Sequence, residues 1–395
     1  MSAILNHTHV DHISDSPEFL ICYHLPANAG YAIEPLEIMF FRVVSGIVGS
    51  AERVHMGYRD YHQGKPRWLD QTSTNLITLS YREMSGKLQR QLIDYISRNN
   101  IRYALAFDLP VGAPIITAFR KGGIKKIISY YGAPVSSFNR GIRLLMKRAQ
   151  VLLATNKPDH FIFESYGMQR TATHGRGILK KHTSVVRLGI DVDRFSTHTD
   201  RSYIRKVLHI PEGRKIIIYA GHMEKRKGVD VILRAAAELV NKRGRTDVHF
   251  LLCGNRDGEE RVFDALYKGT PAEEHITFGG YRNDIPGLMP GCYAAVIAST
   301  GWDSFPRSSL EMSAAGLPLL VSDLPGLNET VDNDVTGLVF TPGDPLDLSE
   351  KLEHLLNKPD LREQLSTATI ERVKKDFSLD HQEYNLKRTI ESVLS

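Results

Sequence analysis

The chain has 395 residues, of which 42% are hydrophobic, and this is enough apolar material for the buried cores of two or three domains. No apolar run approaches the roughly 18 residues that a membrane-spanning helix needs. Three scattered cysteines, Cys22, Cys253 and Cys292, exclude a disulfide framework or a zinc site, and we expect buried free thiols. The segment from Met1 to Glu18 is polar and rich in His and Asp, which argues against a secretory signal or transit peptide and predicts a cytoplasmic protein.

Charge is unevenly distributed along the chain. Residues 1–190 carry 24 Lys and Arg against 13 Asp and Glu, whereas the remainder carries 26 against 32. A basic half joined to an acidic half predicts that the first half meets an anionic partner. Nucleic acid is not expected, because the sequence has no zinc-finger spacing, no RNP-type aromatic motif and no concentrated basic helix. Anionic lipid headgroups or a phosphate-linked acceptor fit better.

The first half alternates strand-like runs with helix-like stretches, which predicts a doubly wound α/β domain. The loop after the first strand, residues 25–32, contains one glycine and is a weak phosphate motif. Asp108 and Tyr131-Gly132 come just after later strands, where α/β sheets place ligands. Asp108 precedes Leu109-Pro110, however, so it could equally be a turn former.

A basic and apolar stretch runs from Phe138 to Leu153. Its Arg and Lys residues alternate with Ile, Leu and Met at helical spacing. Such a helix could lie on an anionic membrane surface. The alternative is an ordinary amphipathic helix whose basic face is solvated.

The second half again alternates strands with helices, and the charge changes sign near Gly189, which suits a hinge. Between a strand at 215–221 and a helix at 228–243, the loop concentrates cations, namely His222, Arg226 and Lys227. Positive charge at the carboxyl end of a strand could stabilise a departing diphosphate. A solvated charge cluster is the alternative.

A loop and short helix between strands at 293–298 and 318–321 form the second landmark. Pro306 suits the first helical position and Gly316 the left-handed cap. The N–H groups of residues 307–309 would then favour an anion. Asp303 and Glu311 flank this seat, which suits a ligand with both phosphate and hydroxyls. Alternatively, Asp303 caps the helix and Glu311 pairs with Arg307.

The spacing of these two acids carries a resemblance. Asp303 is followed by Phe305-Pro306, and Glu311 opens the pattern Glu-Met-x-Ala-x-Gly-x-Pro. This resembles the donor-site motif of family-4 retaining glycosyltransferases, which have the GT-B fold. The resemblance implies an α/β protein with two Rossmann-like doubly wound domains facing each other across a cleft. It places an acceptor domain at residues 1–190, a nucleotide-sugar domain at 191–375, and a terminal helix crossing back at 376–395.

The resemblance also implies roles for residues. Asp303, in place of the usual Glu, contacts the sugar, and Glu311 holds the ribose. Lys227 binds the diphosphate together with Arg226 or His222, one of which replaces the family's arginine. The remaining donor-side residues are Gly221, Tyr281, Arg282, Phe305, Pro306, Arg307 and Ser308, and the acceptor-side residues are Asn28, Gly30, Asp108 and Tyr131.

The expected function is a retaining hexosyltransferase that needs no metal or cofactor. It would use a UDP- or GDP-sugar and a glycan or lipid-linked acceptor in bacterial cell-surface polysaccharide or glycolipid synthesis. We expect it in the cytoplasm, peripheral on the inner face of the membrane. Two alternatives stay open: a GT-B phosphorylase or epimerase, and a binding protein that has lost catalysis, since His222, Asp303 and Tyr131 depart from the family pattern.

Overall fold

The computed structural model describes residues 17–30, 33–69, 75–197 and 199–395. They form two compact units: the described residues up to Val186 together with Glu383–Ser395, and Arg187–Gln382. Most of the polar segment from Met1 to Glu18, and the last two residues of the loop at 25–32, lie outside the described residues. Among the described helices, none combines the length and the apolar character needed to cross a membrane.

The first unit contains a seven-stranded parallel sheet with the order β3-β2-β1-β4-β5-β6-β7. Strand β1 lies inside this sheet, and its apolar residues from Phe19 to Tyr23 are fully buried, as expected for a strand covered on both faces. The strands are β1 (Glu18–Tyr23), β2 (Val54–Tyr58), β3 (Asn75–Thr78), β4 (Ile101–Phe107), β5 (Lys126–Tyr131), β6 (His160–Phe163) and β7 (Thr183–Val185).

Helices cover this sheet, and local signals set their ends. The first helix has proline in its first turn and ends at Gly49, which adopts φ 80° and donates its N–H to the carbonyl of Ser45. Ser85 accepts a hydrogen bond from the Leu88 N–H and so caps the second helix. The helices are α1 (Glu34–Val48), α2 (Gly86–Arg98), α3 (Ile115–Gly122), α4 (Gly141–Leu153) and α5 (Tyr166–Arg170).

The second unit contains a six-stranded parallel sheet with the order β10-β9-β8-β11-β12-β13. One cluster of buried apolar residues, built from these strands and the helices beside them, runs from Ile217 to Leu365. The strands are β8 (Lys215–Ala220), β9 (Val248–Cys253), β10 (Ile276–Gly280), β11 (Ala294–Ile297), β12 (Leu319–Ser322) and β13 (Gly337–Phe340).

The α-helices of the remaining chain are α6 (Val192–Ser196), α7 (Tyr203–Leu208), α8 (Val229–Ala237), α9 (Ile285–Leu288), α10 (Arg307–Ala314), α11 (Pro345–Leu356), α12 (Pro359–Asp376) and α13 (Leu379–Leu394). A π-helical turn at Glu238–Lys242 extends α8. The predicted α/β class is confirmed, and so is the buried, unpaired state of all three cysteines. The sequence did not predict two of the strands, β2 and β6.

Candidate functional site

Strands β8 and β11 lie side by side at the centre of the second sheet. From β8 the sheet continues outward through β9 to β10, and from β11 it continues in the opposite direction through β12 to β13. The loops that follow β8 and β11 therefore diverge at the carboxyl edge of the sheet. Such a reversal point leaves a crevice in which doubly wound folds bind ligands. The loop 221–228 follows β8 and the loop 298–306 follows β11, and these are the two loops on which the sequence placed its donor residues.

The two loops are locked together through their backbones. Thr300 donates its N–H to the carbonyl of Arg226 at 2.7 Å. Gly228 adopts φ +68°, and a Cβ atom there would lie only 1.8 Å from the carbonyl oxygen of Ala298. Only glycine satisfies both the left-handed backbone and this close approach. The loops therefore hold a fixed geometry relative to each other.

The charged centre of this crevice is an ion pair. Lys227 Nζ donates to Asp303 Oδ2 at 2.8 Å, and the two side chains are 15% and 6% exposed. Ser299 Oγ donates to the same carboxylate oxygen at 2.7 Å. Because Asp303 is held this way, it does not cap α10, and that alternative prediction is wrong.

Arg226 makes its side-chain contacts with residues of the two loops. Its guanidinium carbon lies 4.4 Å from the ring centroid of Trp302, and Nη1 donates to the Trp302 carbonyl at 3.1 Å. Nε pairs with Glu224 at 2.7 Å. His222 has an exposed side chain, and its carbonyl accepts a hydrogen bond of 2.7 Å from the Tyr219 hydroxyl, which fixes the loop just beyond Gly221.

Helix α10 begins at Arg307, so the prediction that Pro306 occupies the first helical position is wrong by one residue. Pro306 has ψ 129°, which is extended backbone, and it stands at the N-cap. No side chain caps the helix. Of the N–H groups predicted to bind an anion, that of Ser309 already donates to the carbonyl of Pro306 at 3.1 Å, which leaves those of Arg307 and Ser308 as the candidates. The C-terminal prediction is confirmed: Gly316 has φ +75°, and its N–H bonds the carbonyl of Ser313.

Glu311 lies on α10 and is 8% exposed. Its Oε1 is 4.0 Å from Arg307 Nε, the outer limit of an ion pair, so the predicted i, i+4 pairing with Arg307 is present but long. Phe305 is buried and packs edge-on against Phe377 at 5.4 Å, which anchors the loop before the helix. Ser308, in the first turn of α10, is half-buried.

Tyr281 and Arg282 follow β10, which β9 separates from β8. Arg282 makes two hydrogen bonds to Asp284, of 2.7 and 2.6 Å, and Asp284 also accepts one from Tyr203. Arg282 is therefore occupied within its own loop. Tyr281 is 73% exposed, so its ring is available for stacking.

In the first unit, Asn28 holds a neighbouring loop. Its amide donates to the carbonyls of Lys65 and Gln63, at 2.9 and 3.1 Å, and accepts from the Arg67 N–H at 3.1 Å. This commits the side chain to structure. Gly30 has φ +126° and open space around its Cα, which leaves room beside it.

Adjacent strands β4 and β5 bring Asp108 and Tyr131 together. Asp108 has φ 52°, and its carboxylate accepts the Gly132 N–H at 3.1 Å. Burial raises the pKa of Asp108 from 3.8 to about 7. Tyr131 is the last residue of β5 rather than the first residue after it, and its hydroxyl donates to the Leu109 carbonyl at 3.0 Å.

Within the ranges that the structure describes, no group of three or more His, Cys, Asp or Glu side chains is placed to hold a metal ion.

Part of the chain matches a known protein family. Residues 200–372, which include β8, β11 and both loops, match the family described as glycosyl transferases group 1. The match covers less than half of the chain, and it confirms the predicted resemblance at the level of this group.

The curated relatives match only part of this chain. The D-inositol 3-phosphate glycosyltransferase of Corynebacterium jeikeium is 32% identical over 187 residues, which are 45% of this chain and 44% of that protein. The chain thus spans less than half the length of this curated relative. The lipopolysaccharide core biosynthesis mannosyltransferase LpsB of Rhizobium meliloti is 24% identical over 269 residues, 64% of this chain and 74% of that protein.

Structural similarity to a known protein covers nearly the whole chain. The crystal structure of Anabaena HepE in complex with UDP superposes with a TM-score of 0.75 over 95% of this chain and 100% of that one, at 17% identity. The two Rossmann-like units with parallel sheets have the GT-B fold, as predicted.

Three residues near the strand ends were not predicted from the sequence. Ser299 bonds Asp303, and Trp302 stacks on Arg226. In the first unit, His24 directly follows β1, and its ring stacks on Phe107 with centroids 6.3 Å apart. Burial lowers the pKa of His24. Their position in the chain could have identified them, because each lies in a loop that directly follows a strand.

Proposed function

We propose that the protein is a retaining, metal-independent hexosyltransferase. It moves a hexose from a UDP- or GDP-sugar to a hydroxyl of a glycan or lipid-linked glycan, in bacterial cell-surface polysaccharide or glycolipid synthesis. The observation that carries the proposal is the Lys227–Asp303 pair of 2.8 Å at the reversal point between β8 and β11. A cation and a carboxylate in one crevice suit a ligand that joins a diphosphate to a sugar.

The donor would lie with its diphosphate at Lys227 and at the N-terminus of α10. The helix dipole and the N–H groups of Arg307 and Ser308 favour an anion there. Asp303 would accept hydrogen bonds from sugar hydroxyls, and Glu311, four residues into the same helix, would accept those of the ribose. Backbone around Phe305 and Pro306 would line the seat.

Transfer would follow a front-face displacement. The bond between the anomeric carbon and the diphosphate oxygen breaks while the acceptor oxygen bonds the same face of that carbon. A phosphate oxygen of the departing diphosphate takes the acceptor proton. Lys227 stabilises the negative charge that grows on the leaving group, which is where fixed positive charge accelerates such a reaction most.

Arg226 and His222 were alternative partners for the diphosphate. Arg226 already stacks on Trp302 and pairs with Glu224, whereas His222 has an exposed side chain. We therefore assign Arg226 to loop positioning and His222 to the diphosphate.

The first unit would receive the acceptor, with Asp108 and Tyr131 at the carboxyl edge of its sheet. A glycan acceptor is supported by the relative LpsB, whose name assigns it to lipopolysaccharide core synthesis. The proposed place of action is the cytoplasmic face of the cytoplasmic membrane, where lipid-linked acceptors are exposed.

Thermal-shift titration of the full chain with UDP, GDP, ADP and their sugars tests the donor. One nucleotide series should raise Tm, because a ligand that binds only the folded state stabilises it by mass action. Lys227→Ala and Glu311→Ala should abolish the shift. Lys242→Ala is the matched control, since Lys242 is 73% exposed in the same unit.

Radiolabelled donor incubated with membrane extract then tests transfer, and NMR of the product reads the anomeric configuration. Turnover that needs inorganic phosphate would indicate a phosphorylase, and turnover without acceptor an epimerase. Normal donor binding and turnover in both Lys227→Ala and Glu311→Ala would refute the site.

A further inference from the structure

Helix α4 presents an apolar face to the outside. Four aliphatic or Met side chains on it are strongly exposed: Ile142 by 74%, Leu145 by 61%, Met146 by 59% and Leu153 by 82%. Their spacing of three, one and seven residues places them on one side of the helix. A surface helix of an isolated globular unit shows the opposite pattern, with polar residues outward.

The same helix is firmly attached through its other side. Val151 is buried, and Lys157 donates to the carbonyls of Val151 and Leu152 at 2.9 and 2.8 Å, which secures the C-terminal turn. Gly177 approaches so closely that a Cβ there would lie 2.6 Å from the Arg148 N–H nitrogen. The outward direction of the apolar face is therefore set by packing.

The sequence around this face carries positive charges only. No Asp or Glu occurs between Asp108 and Asp159, while that stretch contains nine Lys and Arg. Arg140 and Arg143 are exposed at the start of α4. Phe138 is 51% exposed just before the helix. An apolar strip with cations beside it and no acid in its sequence neighbourhood complements an anionic, apolar surface.

We propose that α4, together with Phe138, docks on an anionic lipid membrane. The exposed aliphatic side chains enter the boundary of the acyl chains, and the arginines meet the headgroup phosphates. A second copy of the chain is disfavoured as the occupant, because a two-fold contact would oppose the same cations. The inference rests on the membrane location within the proposed function and names the surface responsible for it.

Co-sedimentation of the full chain with vesicles tests the apolar face. Vesicles of phosphatidylcholine with 30% phosphatidylglycerol should bind the chain, and pure phosphatidylcholine should bind it weakly. The triple variant Ile142→Ser, Leu145→Ser, Leu153→Ser should lower binding by about tenfold or more, since each side chain loses its apolar burial. Val262→Ser is the control, because Val262 is 77% exposed elsewhere.

Charge reversal tests the arginines beside the apolar face. Arg140→Glu with Arg143→Glu should abolish the preference for phosphatidylglycerol, and added salt should do the same to the unmodified chain. Lys87→Glu with Arg90→Glu is the matched control, since both residues are exposed on α2 of the same unit. That pair should change binding little.

Three results would overturn the docking proposal: no binding to either vesicle, equal binding by the triple variant, or a dimer that the triple variant converts to monomer. The last would assign the face to a second copy. Nucleotide-induced thermal shifts, measured on every variant, report folding and the donor site separately. Loss of vesicle binding with those shifts intact is the expected result, and failure of docking alone leaves the donor assignment standing.

Discussion

Lys227 and Asp303 are 76 residues apart in sequence, and their side chains meet at 2.8 Å. Each was predicted as a donor ligand for a different part of the sugar nucleotide. In the structure the two side chains also form an ion pair with each other. They are 15% and 6% exposed, so the pair is largely shielded from solvent. The donor must therefore engage a lysine that already has a carboxylate partner.

The first prediction concerns the stability of this pair. Lys227→Met leaves the buried carboxylate of Asp303 without its cation and should cost about 3 kcal/mol of unfolding free energy. Adding Asp303→Asn should restore part of that loss, because the uncompensated charge is removed. Urea denaturation of the single and double variants measures the coupling. Strictly additive effects would show that the ion pair carries no energetic weight.

The second prediction separates ribose from phosphate recognition. Glu311→Gln should weaken nucleoside diphosphate binding by about tenfold, because hydrogen bonds to a charged acceptor are lost. It should leave binding of inorganic pyrophosphate unchanged, whereas Lys227→Ala should weaken both ligands. Isothermal titration with the two ligands gives the comparison. If Glu311→Gln weakens pyrophosphate equally, Glu311 does not hold the ribose.

The third prediction concerns Arg226 as a positioning residue. Arg226→Lys keeps the charge but loses the planar stacking on Trp302 and the hydrogen bond to its carbonyl. We expect about a tenfold loss of kcat/KM for transfer, a similar loss for Trp302→Ala, and no further loss in the double variant. Independent, multiplying losses would mean that Arg226 contacts the donor directly.

The fourth prediction concerns pH and the first unit. Glu37 is 2% exposed and accepts a 2.8 Å hydrogen bond from the Trp68 indole. Burial raises the pKa of Glu37 from 4.5 to about 7. The folded state therefore holds the proton more tightly than the unfolded state. The stability that Glu37 contributes should be fully present below about pH 4.5 and fall by about 2–3 kcal/mol as pH rises from 4.5 to 7.

Glu37→Gln tests this, since it removes the ionisation and should flatten the decline in Tm between pH 5 and pH 8. Some slope will remain, because the pKa of Asp108 is also raised to about 7. Glu34→Gln, an exposed change in the same turn of α1, should reduce the slope much less, because the charge of Glu34 is a smaller cause of the raised pKa of Glu37 than burial is. A variant Glu37→Gln with the full slope would contradict the assignment.

Fully buried strands were readable from the sequence because they form unbroken apolar runs, as in β1 and β8. The terminal helix predicted at 376–395 is present as Leu379–Leu394. Strand β2 was not predicted: His55 and Gly57 interrupt its apolar pattern, although all five of its residues are buried. Strand β6 was missed as well, having only four residues.

The members of the donor site were readable from their motifs, but their contacts were not. Which strands become neighbours depends on the whole sheet. No local sequence pattern therefore predicted that the loop after β8 would contact the loop after β11. The same limit hid the stacking of Arg226 on Trp302. A one-residue error at Pro306 arose because ψ at a proline is free even though φ is fixed.

The locked backbones of the two donor loops have a consequence for redesign. Since Gly228 faces the carbonyl of Ala298 and Thr300 bonds that of Arg226, neither segment can change length without displacing the other. A new sugar preference in this scaffold must therefore come from exchanging side chains within both segments at once. Grafting a single loop from a relative would break the fit.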